Sequence, residues 1–74
     1  MNYEYSKAIG RNIGALRQSR GLTQEQLSAK LQVAGCDITR SALAKIEVGQ
    51  RHLYPDELKA LRMVLEIGYD DLFV

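Results

Sequence analysis

Apolar residues recur along this 74-residue chain at intervals of three and four, and glycines cut the pattern into short pieces. Tyr5, Ile9, Ile13 and Leu16 step by four, four and three. Leu27 and Leu31, Leu43 and Ile46, and then Leu58, Leu61 and Leu65 repeat the interval, with Gly21, Gly35 and Gly49 between the runs. No sustained alternation of apolar and polar residues marks a strand, and there is a single proline. The period is helical, so the expected fold class is all-α.

The ends of these helices can be read from their punctuation. The first runs from about Ser6 to Arg20, buries the stripe from Tyr5 to Leu16, and stops at Gly21, which can take a positive φ. Thr23-Gln24-Glu25-Gln26 has the spacing of a capping box, bracketed by Leu22 and Leu27 as a hydrophobic staple, and opens a second helix of about 24–34. Its expected inner side carries Leu27, Leu31 and Ala34. Thr39 caps a third helix, about 40–48, with Ile38 and Leu43 as the staple. Pro55 suits the first position of a fourth helix, where Asp56 and Glu57 favour the positive end of the dipole. A last turn from Asp70 to Phe73 completes five helices.

Length and composition narrow the function classes. Seventy-four residues allow one domain, expected to span 1–74, and 46% hydrophobic with 26% charged residues is an ordinary globular balance. One cysteine, Cys36, and one histidine, His52, are too few for a zinc site of three or four such ligands, and no disulfide can form within the chain. Neither a metal nor a cofactor is expected. No apolar run reaches the ~18 residues of a membrane span, which makes a cytoplasmic protein without membrane contact the default expectation. His52 has no evident nucleophile or orienting partner, Asp70-Asp71 falls in a terminal turn, and no Gly-rich phosphate loop is present. The chain is therefore expected not to be an enzyme, and no small-molecule ligand is expected.

The net charge of +1 conceals an uneven distribution. Residues 1–51 hold eight Lys and Arg against four Asp and Glu, a net of +4, whereas residues 52–74 hold two against five, a net of −3. At about 100° per residue from Arg40, the third helix places Ala42, Ile46 and Leu43 at about 200°, 240° and 300°, the buried arc. Arg40, Ala44, Val48, Ser41 and Lys45 fall between about 0° and 140°, a face with two cations, a hydroxyl and no carboxylate. Such a face suits a polyanion: Arg or Lys can donate to guanine O6 and N7, Ser to several bases, and Ala or Val can touch a thymine methyl. Gln24 opens the second helix, where backbone N–H groups and the dipole attract phosphate, and Arg51 and His52 continue the track after Gly49.

Gly21-Leu22-Thr23-Gln24-Glu25-Gln26-Leu27-Ser28 and Ile38-Thr39-Arg40-Ser41-Ala42-Leu43-Ala44-Lys45-Ile46-Glu47-Val48-Gly49 resemble the helix-turn-helix domain shared by phage repressors, Cro proteins and XRE-type bacterial regulators. Ile67-Gly68-Tyr69-Asp70-Asp71-Leu72-Phe73 resembles the closing segment of that family. The resemblance covers about residues 6–73. It implies a compact five-helix, lambda-repressor-like domain in which the third helix enters the DNA major groove and the second crosses the backbone. Carried over by position, Arg40, Ser41, Ala44 and Lys45 face base edges, while Gln24 and Thr39 lie at the phosphates. Arg17 and Glu47 match a pair that links the first helix to the third. The chain departs from the family at one place: the turn between the second and third helices, ordinarily about three or four residues, is about five residues longer. The resemblance implies a transcriptional regulator, expected to act as a repressor on double-stranded DNA in a bacterial or phage setting, at the nucleoid.

A single module of this kind buries only ~600–1,000 Å² on DNA, so specificity normally comes from two modules on half-sites ~34 Å apart. A homodimer is expected, through Tyr69, Leu72, Phe73 and Val74 at the acidic end. The alternative is a protein-interaction module, such as an antitoxin or a bridging factor for the transcription machinery. Cys36, with no cation evident beside it, is read as an inert filler and not as a redox sensor.

Overall fold

The computed structural model describes residues 3–73, of Tyr3 the backbone only. It contains α1 (Tyr3–Ser19), α2 (Gln24–Val33), α3 (Arg40–Glu47), α4 (Pro55–Leu65) and α5 (Tyr69–Leu72), and no strand among the described residues. α1 begins three residues earlier than the sequence suggests, and α2 and α3 each end one residue sooner. The one-residue differences are ordinary at frayed helix ends, whereas the added three residues extend α1 by most of a turn.

The caps explain the boundaries. Thr23 Oγ1 accepts the Gln26 N–H at 3.1 Å while Gln26 Oε1 accepts the Thr23 N–H at 2.9 Å, a complete capping box. Thr39 Oγ1 accepts the Ala42 N–H at 3.1 Å. At their other ends, α1 to α4 all close with one pattern: the residue in left-handed conformation donates back three residues and its successor donates back five, as in a Schellman motif. Gly21, Gly35 and Gly49 take the left-handed position in the first three, and Glu66 takes it in the fourth.

Every helix sends leucine or isoleucine into one core. Ile13 of α1, Leu27 and Leu31 of α2, Ile38 before α3, Leu43 and Ile46 of α3, Leu61 and Leu65 of α4, and Leu72 of α5 are each at most 1% exposed. The inner face of α1 differs from the expected stripe. Ile13 is buried, but Ile9 and Leu16 are half-buried and Tyr5 is 44% exposed, while Gly10 and Gly14 are buried. These glycines let the helices approach closely: a Cβ on Gly10 would lie 2.2 Å from the Ile46 carbonyl oxygen of α3. A hydrophobic stripe counts side chains, and this contact is made where there are none.

The turn between α2 and α3 occupies residues 34–39, so it exceeds the ordinary length of about three or four residues by about two or three and not by about five. Ala34, expected on the inner side of α2, is its exposed C-cap, and Ser28 is buried in its place. Ser28 Oγ donates to the Ile38 carbonyl at 2.7 Å and accepts from Gln32 Nε2 at 3.2 Å, tying α2 to the entry of α3 across the turn. At the opposite end, Asn12 Nδ2 donates to the carbonyls of Asp71 and, at 2.8 Å, Leu72, so α1 also fixes α5.

Candidate nucleic-acid interface

α3 is held from behind. Gly10 and Gly14 admit its C-terminal end against α1, and Gly49 packs so closely on Lys7 that an added Cβ would meet Lys7 Cα at 2.7 Å. Its only acid, Glu47, faces α1: Arg17 Nε donates to Glu47 Oε2 at 2.8 Å and Arg17 Nη2 to Oε1 at 3.1 Å. Arg17 Nη1 donates to the Leu22 carbonyl at 2.8 Å, which joins the end of the α1–α2 turn to the same cluster. The side chains are 11% and 9% exposed, and the hydrogen bond to Glu47 holds the Arg17 guanidinium above its ordinary pKa despite desolvation. The Arg17 guanidinium therefore remains charged, and the two side chains satisfy each other's hydrogen bonds.

With Glu47 withdrawn, the outer face of α3 carries exposed Arg40, Ser41 and Lys45, with Ala44 half-buried between them and Val48 54% exposed just beyond. Neither Arg40 nor Lys45 forms an ion pair among the described residues. Two uncompensated cations thus share a face without a carboxylate. Thr39 stands exposed at the start of this face with its hydroxyl in the cap. Gln24, half-buried at the start of α2, donates through Nε2 to Glu47 Oε1 at 3.1 Å.

The loop after α3 departs from the sequence-based expectation. Arg51, expected on the phosphate track, closes onto Glu57 of α4 with Nη1–Oε1 and Nη2–Oε2 distances of 2.9 and 2.8 Å, and Nη1 also donates to the His52 carbonyl at 2.8 Å. Its charge is spent within the loop, and the Arg51 hydrogen bond keeps the Glu57 carboxyl below its ordinary pKa. His52 remains exposed. No group of three or more His, Cys, Asp or Glu among the described residues is placed to hold a metal. Burial, then Glu57 and Asp56, push the Cys36 thiol up, away from the reactive thiolate.

A helix-turn-helix family model matches residues 13–72, from the buried Ile13 to the buried Leu72, and so spans the later part of α1 and all of α2 to α5. The chain belongs to the XRE-type helix-turn-helix family. Among solved structures, this helix-turn-helix domain is similar to the restriction-modification controller protein C.AhdI from Aeromonas hydrophila, with 30% identity, 96% of each chain covered and a TM-score of 0.84. It also shares its fold with the DNA-binding domain of BldD, at 20% identity, full coverage of both chains and a TM-score of 0.84. No curated protein sequence matches it significantly.

One expected surface residue needs correction. Leu72, assigned from the sequence to a dimer face, is fully buried in the domain's own core, because the single turn of α5 must turn one side chain inward to dock. Its neighbours Tyr69 and Phe73 stay 46% and 43% exposed, and Arg62 lies over the Tyr69 ring at 4.9 Å. Val74 lies outside the described residues. No helix among the described residues is long and apolar enough to cross a membrane.

Proposed function

We propose that this helix-turn-helix protein is a sequence-specific DNA-binding transcriptional regulator, acting as a homodimeric repressor with α3 in the major groove. One observation carries the reading: the only acid of α3 is turned inward onto Arg17, leaving Arg40 and Lys45 unpaired on an exposed face beside Ser41. Family membership and the similarity to a restriction-modification controller protein support the same function. A regulator needs no catalytic step, and repression follows simply from occupying an operator.

In this reading Arg40, Ser41, Ala44 and Lys45 meet base edges, and Gln24, Thr39 and His52 lie along the phosphates. Arg51 frames the loop, since its guanidinium is already bound to Glu57. Tyr69 and Phe73 provide apolar surface for a second copy.

Selection from a random DNA pool tests the proposal, followed by titration of the recovered duplex against scrambled DNA at several salt concentrations. The expected result is an inverted repeat bound at least ~1,000-fold more tightly than scrambled DNA, with affinity falling steeply as salt rises. Lys45→Ala is expected to relax preference at one base pair per half-site, at a cost of about 1–3 kcal/mol. No enrichment, with weak binding that ignores salt, overturns the proposal in favour of a protein partner.

A further inference from the structure

We infer that Glu47 is a positioning residue for a DNA-backbone contact: its carboxylate sets the Gln24 carboxamide with the N–H edge available to a phosphate. The inference rests on the DNA-binding reading above and adds a role that neither the Arg17 pair nor the position of Gln24 supplies alone.

The chemistry of the two partners dictates the orientation. A carboxylate only accepts hydrogen bonds, so Gln24 can meet Glu47 only through its NH₂ group, as it does at 3.1 Å. That contact uses one of the two amide hydrogens, and the other has no protein partner among the described residues. A phosphate is likewise acceptor-only. Gln24 can bind it with the remaining N–H, whereas a flipped carboxamide turns its carbonyl oxygen toward the anion and repels it.

Glu47 therefore removes the wrong orientation before DNA arrives. Its own charge does not repel the phosphate strongly, because two Arg17 nitrogens already bind it at 2.8 and 3.1 Å. The result is an alternating row of guanidinium, carboxylate, carboxamide donor and phosphate, running from α1 through the end of α3 to the start of α2. It makes the backbone contact of α2 depend on the seating of α3.

The sign of one substitution distinguishes this role from simple electrostatics. Glu47→Gln deletes a negative charge near the DNA face, which by charge alone tightens binding. If Glu47 positions Gln24, the variant instead binds the selected duplex about tenfold more weakly, since the neutral amide at 47 no longer fixes which edge Gln24 presents. Gln24→Ala is expected to lose about the same factor, and the double variant no more than either single one. Equal or tighter binding by Glu47→Gln, or a further full loss in the double variant, overturns the proposal and leaves Glu47 acting only through Arg17 and the tilt of α3.

A second measurement needs no change at Glu47, should that variant fail to fold. In a series of duplexes with one phosphate replaced by neutral methylphosphonate, the wild-type chain is expected to lose about tenfold at one position per half-site, and Gln24→Ala nothing there. In the side-chain amide NMR spectrum of the free wild-type chain, one Gln24 Nε2 proton is expected downfield, bonded to the carboxylate, with its partner moving only when DNA is added. An unshifted pair in the free protein, or no phosphate whose neutralisation distinguishes wild type from Gln24→Ala, refutes the inference. Absence of DNA binding by the wild type is a different result and counts against the functional reading itself.

Discussion

Four helices in this domain end in the same hydrogen-bonding motif, but only three use the residue best suited to it. Glu66 closes α4 at φ 57° and ψ 51°, where an L side chain crowds its own backbone at a cost of roughly 1–2 kcal/mol. In this motif the Ile67 N–H reaches the Arg62 carbonyl at 3.1 Å, an acceptor that the Glu66 N–H also reaches, so the last turn is closed by two donors. Glu66 is exposed, and its backbone carbonyl, which accepts from Arg20 Nη2 at 3.1 Å, survives a change of side chain. Glu66→Gly is therefore expected to stabilise the fold by about 0.5–1 kcal/mol after the added chain entropy of glycine is offset. In urea denaturation this appears as a higher midpoint at unchanged slope. Gly10 presents the opposite case, because its α-helical backbone strains no residue but its neighbour leaves no space. A Cβ there meets backbone oxygens of Ile46 and Glu47 at 2.2 and 2.8 Å, and backbone cannot rotate aside. Gly10→Ala is expected to cost about 1–3 kcal/mol in the same assay by pushing α3 away from α1.

At the scale of elements, the connection from α3 to α4 is governed by one carboxylate. Glu57 is 8% exposed and accepts two Arg51 N–H groups and, at 3.0 Å, the Tyr54 N–H, so it caps α4 and anchors the loop together. These bonds hold its folded pKa below the ordinary 4.5. A depressed carboxylate pKa means that the unfolded chain takes up a proton first as pH falls. The stability Glu57 contributes is therefore complete above its ordinary range and disappears as pH falls from there through the folded pKa. Thermal melts from pH 7 to pH 3 are expected to show this fall in the wild type and a shallower one in Glu57→Gln, which starts about 1–3 kcal/mol less stable at pH 7. Equal pH slopes in the two proteins contradict the assignment. This clamp also marks where the sequence stops being legible. Thr23 and Thr39 announce their caps because a hydroxyl precedes an apolar run, and the glycines announce three helix ends. The α4 cap has Tyr54 in the hydroxyl's place, with only the return bond from Glu57, so Pro55 reveals the helix but not the clamp. Arg40, Ser41 and Lys45 are exposed as the helical angle predicts. The sequence puts Arg51 on the phosphate track and does not reveal its pairing with Glu57, because a loop cation opposite a carboxylate six residues later has no periodic signature. The Gly10–Gly14 contact and the Ser28–Ile38 bond were equally hidden, since each depends on which elements meet in space.

The described residues form a body of 30 × 23 × 21 Å, and this size bears on how two copies would share an operator. Successive half-sites on one face of DNA lie ~34 Å apart, so two bodies of this width reach one another only if they touch at their adjoining edges. Phe73 lies in a shallow cleft with Ile9, Leu53 and Leu58, and Ile46 of α3 and His52 of the following loop line the same cleft. A partner seated there abuts the elements proposed to meet DNA. The chain's charge is arranged compatibly, with residues 1–51 at net +4 and residues 52–74 at net −3, so the phosphates attract the part that contains α3 and not the part that contains α5. Placing a charge on this edge separates dimerisation from DNA reading. Phe73→Asp is expected to give a monomer by analytical ultracentrifugation at concentrations where the wild type is expected to form the proposed homodimer. It is also expected to bind a single half-site as the wild type does, because Arg40, Ser41 and Lys45 are untouched. On the full inverted repeat, the variant should lose the gain that the second half-site provides, since two separate monomers forgo the effective concentration of a linked pair. Loss on both DNAs alike means that the substitution has damaged α3 or the fold, which a thermal melt shows directly. Unchanged affinity on both, with a dimer still present, places the contact on another face of the domain.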